Sequence, residues 1–137
     1  MSRDVWALDV FRRAYALSLD VHRASQVFPK SEQYGGVADQ LRRASKSVCA
    51  LLAEGAGRQI DSDAEFRRYV IMAIGSAEEV KLWCAYARDL GFVEAAAAGT
   101  WQSGYAEIAR MLHGLLKHLP PKRERTGLEP SRPKSED

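Results

Sequence analysis

The sequence predicts an all-α protein, an antiparallel up-down-up-down four-helix bundle. Apolar residues recur at alternating spacings of four and three in four separate stretches, as on a helix face turned to a core. The prolines stand at 29, 120, 121, 130 and 133, so the chain from Lys30 to Leu119 contains none. A long alanine-rich segment without proline and without alternating β-branched runs builds helices rather than strands. The four stretches are of similar height and joined by short connections, which makes successive helices antiparallel neighbours.

The first helix is expected from about Asp4 to Val27. Val10, Ala14, Leu17, Val21 and Ala24 form its seam, and Phe11 and Tyr15 widen it. Phe28-Pro29-Lys30-Ser31 stops it, because the residue before a proline is pushed out of the α region. The second helix begins near Tyr34 to Val37 and ends near Glu54, with Val37, Leu41, Ala44, Val48 and Leu51 as its seam. Gly55 and Gly57 suit its C-terminal cap. Asp39 and Arg43 stand one turn apart, a pair worth a few tenths of a kcal/mol. The third helix, from Asp63 to Leu90, is the longest. Ser62 and Glu65 form a capping box at its start, and Gly91 caps its end. Its seam is Phe66, Val70, Ala73, Ala77, Val80, Cys84 and Ala87. At 1.5 Å per residue this helix spans about 40 Å, the height of a small domain. The fourth helix starts between Val93 and Thr100, carries Trp101, Tyr105, Ile108, Leu112, Leu115 and Leu119, and stops at Pro120-Pro121.

At 137 residues with 46% hydrophobic and 28% charged content, the chain has the composition of one ordinary globular domain. Residues 1–119 are the bundle domain. Residues 120–137 form a tail rich in proline, serine and charge, too poor in apolar residues to order itself. Its five basic and four acidic groups leave it nearly neutral, a poor nucleic-acid-binding arm. Residues 1–60 hold nine basic and six acidic groups, residues 61–119 six and eight, so the first half is the mildly basic one. No apolar run reaches the length of a membrane span, and Asp4 and Asp9 break any signal-peptide pattern. A cytoplasmic protein is expected. Cys49 and Cys84 lie in apolar helical patterns and read as small buried hydrophobes in a reduced compartment, with a bridge still open should their helices pack side by side.

Catalytic constellations are missing. Di-metal bundles need Glu-x-x-His pairs, and none of His22, His113 and His118 follows a glutamate by three residues. Glu78 and Glu79 point about 100° apart and away from the seam. No serine sits in a Gly-x-Ser-x-Gly elbow, and Gly55-Ala56-Gly57 lacks the preceding strand and the lysine of a phosphate loop. No catalytic residue, metal or cofactor is expected, and the chain reads as a non-enzyme.

Two surface features point elsewhere. Arg42, Arg43 and Lys46 lie more than about 100° from the seam of the second helix. Arg58 follows it, and Arg67 and Arg68 open the third, while Arg12 and Arg13 lie on the first. Such runs are ordinarily a solvated face. As a functional surface they would contact phosphates of RNA or DNA, and with no aromatic interleaving nearby that binding would be backbone-directed. The second feature is a rear row on the third helix, Ile71, Gly75, Leu82 and Tyr86 with Met72 beside it. Gly75 in mid-helix costs roughly 1 kcal/mol against alanine, which close approach of another helix would offset. A helix with two apolar faces predicts self-association, unless the rear row packs under Trp101 or the tail.

The order of these signals resembles the four-helix bundle proteins encoded in 23S rRNA intervening sequences, relatives of the accessory variability proteins of diversity-generating retroelements. The matching residues are Leu8-Asp9-Val10-Phe11 with Ala14, Phe28-Pro29 and Tyr34-Gly35. Gln40-Leu41-Arg42-Arg43-Ala44 with Ser47-Val48 follows, then Ala53-Glu54-Gly55 with Gly57-Arg58. The third helix contributes Glu65-Phe66-Arg67-Arg68-Tyr69 and Ala73-Ile74-Gly75-Ser76, with Glu79 and Leu82, and Asp89-Leu90-Gly91-Phe92 closes it. The family pattern Ser-Ile-Pro-x-Asn-Ile-Ala-Glu-Gly reads here as Ser47-Val48-Cys49-Ala50-Leu51-Leu52-Ala53-Glu54-Gly55, without its proline and asparagine. That leaves the second helix straighter and removes any role of the asparagine. The resemblance implies a left-handed antiparallel bundle that assembles into a cyclic homopentamer. It also implies binding to nucleic acid and to a reverse transcriptase or other nucleic-acid enzyme through a positive surface, as in the retroelement relatives, and no enzymatic activity. A structural adaptor that binds only protein is the alternative.

Overall fold

Four α-helices carry the chain: α1 Asp9–Ser25, α2 Val37–Arg58, α3 Asp63–Asp89 and α4 Ala95–Leu116. Short 3-10 turns, Val5–Ala7 and Lys30–Glu32, precede α1 and α2. The computed structural model describes residues 4–59 and 62–121, and no strand occurs among them. The expected tail beyond Pro121 lies outside the described residues. Each helix packs on its two neighbours in a closed ring, α1 on α2, α2 on α3, α3 on α4 and α4 on α1, while among the described residues diagonal helices bring no Cα atoms within 8 Å of one another. This is a four-helix bundle.

All seven expected seam residues of α3, from Phe66 to Ala87, are buried. They meet Val10, Ala14 and Val21 of α1, Leu41, Val48 and Leu52 of α2, and Trp101, Tyr105, Ile108 and Leu112 of α4 in one core. Large residues such as Phe66 and Tyr105 share this core with the small Ala73, Ala77 and Ala87, which let the helices approach one another. Both cysteines are free thiols. Burial pushes Cys84 up to about 12, and burial outweighs a hydrogen bond from Ser18 to push Cys49 up to about 11. Neither is a thiolate at neutral pH.

Several helix ends differ from the sequence expectation, α1 stopping at Ser25 and α4 at Leu116, short of Val27 and Leu119. α1 starts at Asp9 rather than Asp4, because Leu8 is extended and Asp4 Oδ1 accepts the Trp6 N–H to cap a separate turn. That turn lays Trp6 edge-on against Phe11, with ring centres 4.7 Å apart. α2 continues to Arg58 instead of stopping near Glu54. Gly55 is therefore a helical residue and not a cap. A Cβ on Gly55 would stand 2.5 Å from Tyr69 Cβ, so the glycine permits close approach of α2 and α3. At the start of α3, Ser62 Oγ accepts the Glu65 N–H at 3.2 Å, while the Glu65 carboxylate pairs with Arg68 at 3.2 Å. One half of the capping box forms. Gly91, at φ +80°, ends α3 as expected.

Candidate functional site

The six basic residues that the sequence groups as phosphate contacts occupy two separate places. Arg42, Arg43 and Lys46 lie in the first half of α2. Arg58, Arg67 and Arg68 surround the α2–α3 junction. Arg42 and Arg58 are sixteen positions apart on one helix, about 24 Å. One chain does not bring the six into a single patch.

Two of the six have structural work. Arg42 is half-buried, against the sequence expectation of a residue on the outer face. Its guanidinium donates to Ser25 Oγ at 2.8 Å, to Gln33 Oε1 at 3.1 Å and to the Gln33 carbonyl at 3.0 Å. Arg67 is also half-buried and donates to the carbonyls of Leu116 and Leu119 at 3.0 and 2.8 Å. Those carbonyls close the C-terminal end of α4, where helix acceptors lack partners and a cation is favoured. Arg43, Arg58 and Arg68 are exposed and pair with Asp39, Glu54 and Glu65 at 3.1, 3.4 and 3.2 Å. Arg68 lies 4.8 Å from the Tyr69 ring centre and Arg58 5.7 Å, while the Tyr69 hydroxyl donates to Glu54. Lys46 is exposed and makes no ion pair with any described residue.

Lys46 has company on the α1–α2 side. Arg23, Lys30 and Arg42 likewise have no carboxylate partner among the described residues. His22 lies near these cations. Loss of water contact, followed by the charges of Lys46, Arg42 and Arg23, holds its imidazole below its ordinary value. Its Nδ1 is buried and has no hydrogen-bond partner. Beside this group an open depression of about 680 Å³ is lined by Gln26, Phe28, Lys30, Gln33, Tyr34 and Arg42. Tyr34 is 94% exposed. The sequence reading places no aromatic residue among these cations, and here the structure corrects it. The signal was Tyr34-Gly35-Gly36, a bulky ring before two glycines at a turn.

The second feature is the outer face of α3. Ile71, Leu82 and Tyr86 are 49%, 53% and 48% exposed, Met72 is half-buried, and Gly75 is exposed with open space where a Cβ would be. Trp101 is buried in the core and does not cover the row, and the tail, the other expected cover, lies outside the described residues. All five residues sit on one rigid helix, in a line along its length.

A family model described as 23S rRNA-intervening sequence protein matches residues 7–114. The chain belongs to this family. The match covers all of α1 to α3, most of α4, the six basic residues grouped as phosphate contacts and the exposed apolar row of α3. Among solved structures, the chain is similar to a protein of unknown function from the S23 ribosomal protein family of Bacteroides thetaiotaomicron. The TM-score is 0.70 at 17% identity, over 79% of this chain and 98% of that one. Similarity at that level shows the shared fold. No curated protein matches the chain. No helix among the described residues is long and apolar enough to cross a membrane.

Proposed function

We propose that this intervening-sequence protein is a non-catalytic scaffold, an antiparallel up-down-up-down bundle that assembles into a cyclic homopentamer and binds RNA or DNA. The observation that carries this reading is the exposed row Ile71, Gly75, Leu82 and Tyr86 on α3. A soluble helix gains nothing from two apolar faces unless something covers the second. A second copy of the chain is the occupant, because Gly75 lets another helix approach closely and the family resemblance implies a ring. Polyanion contact centres on Lys46 with Arg23, Lys30 and Arg42, the cations without carboxylate partners. Arg43, Arg58 and Arg68 join by exchanging their surface carboxylate partners for phosphates, which costs little because surface pairs contribute only about 0–1 kcal/mol. Repetition around a ring multiplies these contacts.

Binding that rests on phosphate contacts weakens with salt, with a slope of about −0.7 per neutralised phosphate for single strands. Titrating labelled RNA and DNA from low to high salt tests this: affinity should fall steeply, and Lys46→Glu should flatten the slope. Equal affinity at all salt concentrations contradicts it. A protein-binding adaptor with no nucleic-acid role is the second reading, favoured by the ion-paired state of Arg43, Arg58 and Arg68. On that reading Lys46→Glu leaves partner capture intact.

A further inference from the structure

We propose that the depression beside Arg42 is a nucleotide-binding pocket, in which a phosphate lies against Arg42 and Lys30 while its base stacks on Tyr34. The proposal rests on the polyanion reading above for the source of the phosphate, and it adds a defined place where one nucleotide is held.

Tyr34 is the first reason. A ring that is 94% exposed contributes almost nothing to the fold of its own chain, yet the backbone beneath it is fixed on both sides. On one side, Gln33 Nε2 donates to the carbonyls of Ser25 and Phe28 at 3.0 and 2.9 Å. On the other, the Gly35 N–H donates to Asp39 Oδ2 at 2.7 Å, and Glu32 Oε1 accepts the Val37 N–H at 2.7 Å. Gly35 turns the chain at φ +80°. A rigid segment thus presents a flat π-face to solvent, which is what a stacking platform requires.

Arg42 is the second. Three of the five guanidinium N–H donors are used by Ser25 and Gln33, which leaves two and fixes the plane of the group. A guanidinium held in this way meets phosphate oxygens without losing side-chain freedom on binding. Lys30 supplies a second cation on the wall, and Gln26 an amide able to donate or accept.

Charge is the third. No carboxylate lines the depression. The acidic groups nearest in sequence are engaged, Asp39 with Gly35 and Arg43, and Glu32 with Val37. After loss of water contact, the charges of Lys46, Arg42 and Arg23 also lower the pKa of His22, consistent with positive charge on this side of the chain. Two cations, two amides and two aromatic rings around an open 680 Å³ space suit one nucleotide with a phosphate, free or within a single strand.

The test uses the full chain and calorimetric titration with adenosine 5′-monophosphate, adenosine and inorganic phosphate. The monophosphate should bind more tightly than either fragment. Tyr34→Ala should weaken it about tenfold, the loss of one stacked base. Tyr34→Trp should restore it, and Lys30→Ala should weaken the monophosphate and phosphate alike. A five-nucleotide single strand carrying 5-iodouridine should cross-link to Tyr34. If this strand binds more tightly than the monophosphate, the ligand is a nucleic acid, and if not, a free nucleotide. Unchanged monophosphate binding by Tyr34→Ala, or none by the native chain, overturns the pocket. A Tyr34→Ala chain that loses its assembly also overturns it, by assigning the ring to a subunit contact. Monophosphate binding without any binding of long RNA or DNA keeps the pocket and removes the scaffold's polyanion role. Salt-sensitive RNA binding without monophosphate binding does the reverse.

Discussion

The imidazole of His22 stands among cations rather than carboxylates, and that placement links its protonation to folding. In the folded chain, partial burial and the charges of Lys46, Arg42 and Arg23 disfavour the protonated form. The unfolded chain therefore binds this proton more readily. The neutral-His22 contribution to stability is complete above the unfolded value, near 6.5, and is lost as pH falls through the lower folded value. Urea unfolding between pH 7 and pH 5 should show stability falling with acid in the native chain and falling less in His22→Gln. Parallel slopes contradict this. Asp39, Asp89 and Glu107 have folded values below the ordinary carboxylate range, so their losses come at lower pH. The same residues mark how far a sequence can be read for a site. Arg42, Arg43 and Lys46 stood out as cations off the helical seam. The Asp39 carboxylate beside Arg43 was legible from its one-turn spacing, whereas the carbonyls that take Arg67 were not, because Leu116 and Leu119 reach Arg67 only through the packing of α4 on α3.

At the scale of the helix, two glycines separate packing from assembly. Gly55 faces Tyr69 so closely that a methyl group would overlap its Cβ at 2.5 Å, and both atoms are fixed to helix backbones. Gly55→Ala should therefore destabilise the fold by about 1–3 kcal/mol, the usual cost of overpacking. A Cβ on Gly75 would meet no atom within 4 Å among the described residues. Gly75→Ala should raise the stability of the single chain by about 1 kcal/mol, the helix-propensity difference. Urea denaturation at matched protein concentration checks both, and equal effects contradict the assignment. Helix positions were read well from spacing, since every α3 seam residue lies in the core. The end of α2 was misplaced because glycine suggests a cap. The buried series Val48, Leu52, Gly55 and Ala56 keeps the helical spacing through that point, and its continuation was the better signal.

For the molecule as a whole, the ring of four helices buries one face of each and leaves α3 with a second apolar face in solvent. Fold class and bundle architecture were legible because burial follows directly from periodicity. The proposed assembly rests on a surplus of apolar surface on α3, and spacing alone does not name what covers such a face. The most direct measurement is multi-angle light scattering on the purified chain. The proposed ring predicts five times the 15.3 kDa chain mass at micromolar concentration, reduced to the mass of one chain by Gly75→Leu or by Leu82→Arg. A single-chain mass for the native protein would contradict it, as would a ring that survives both substitutions.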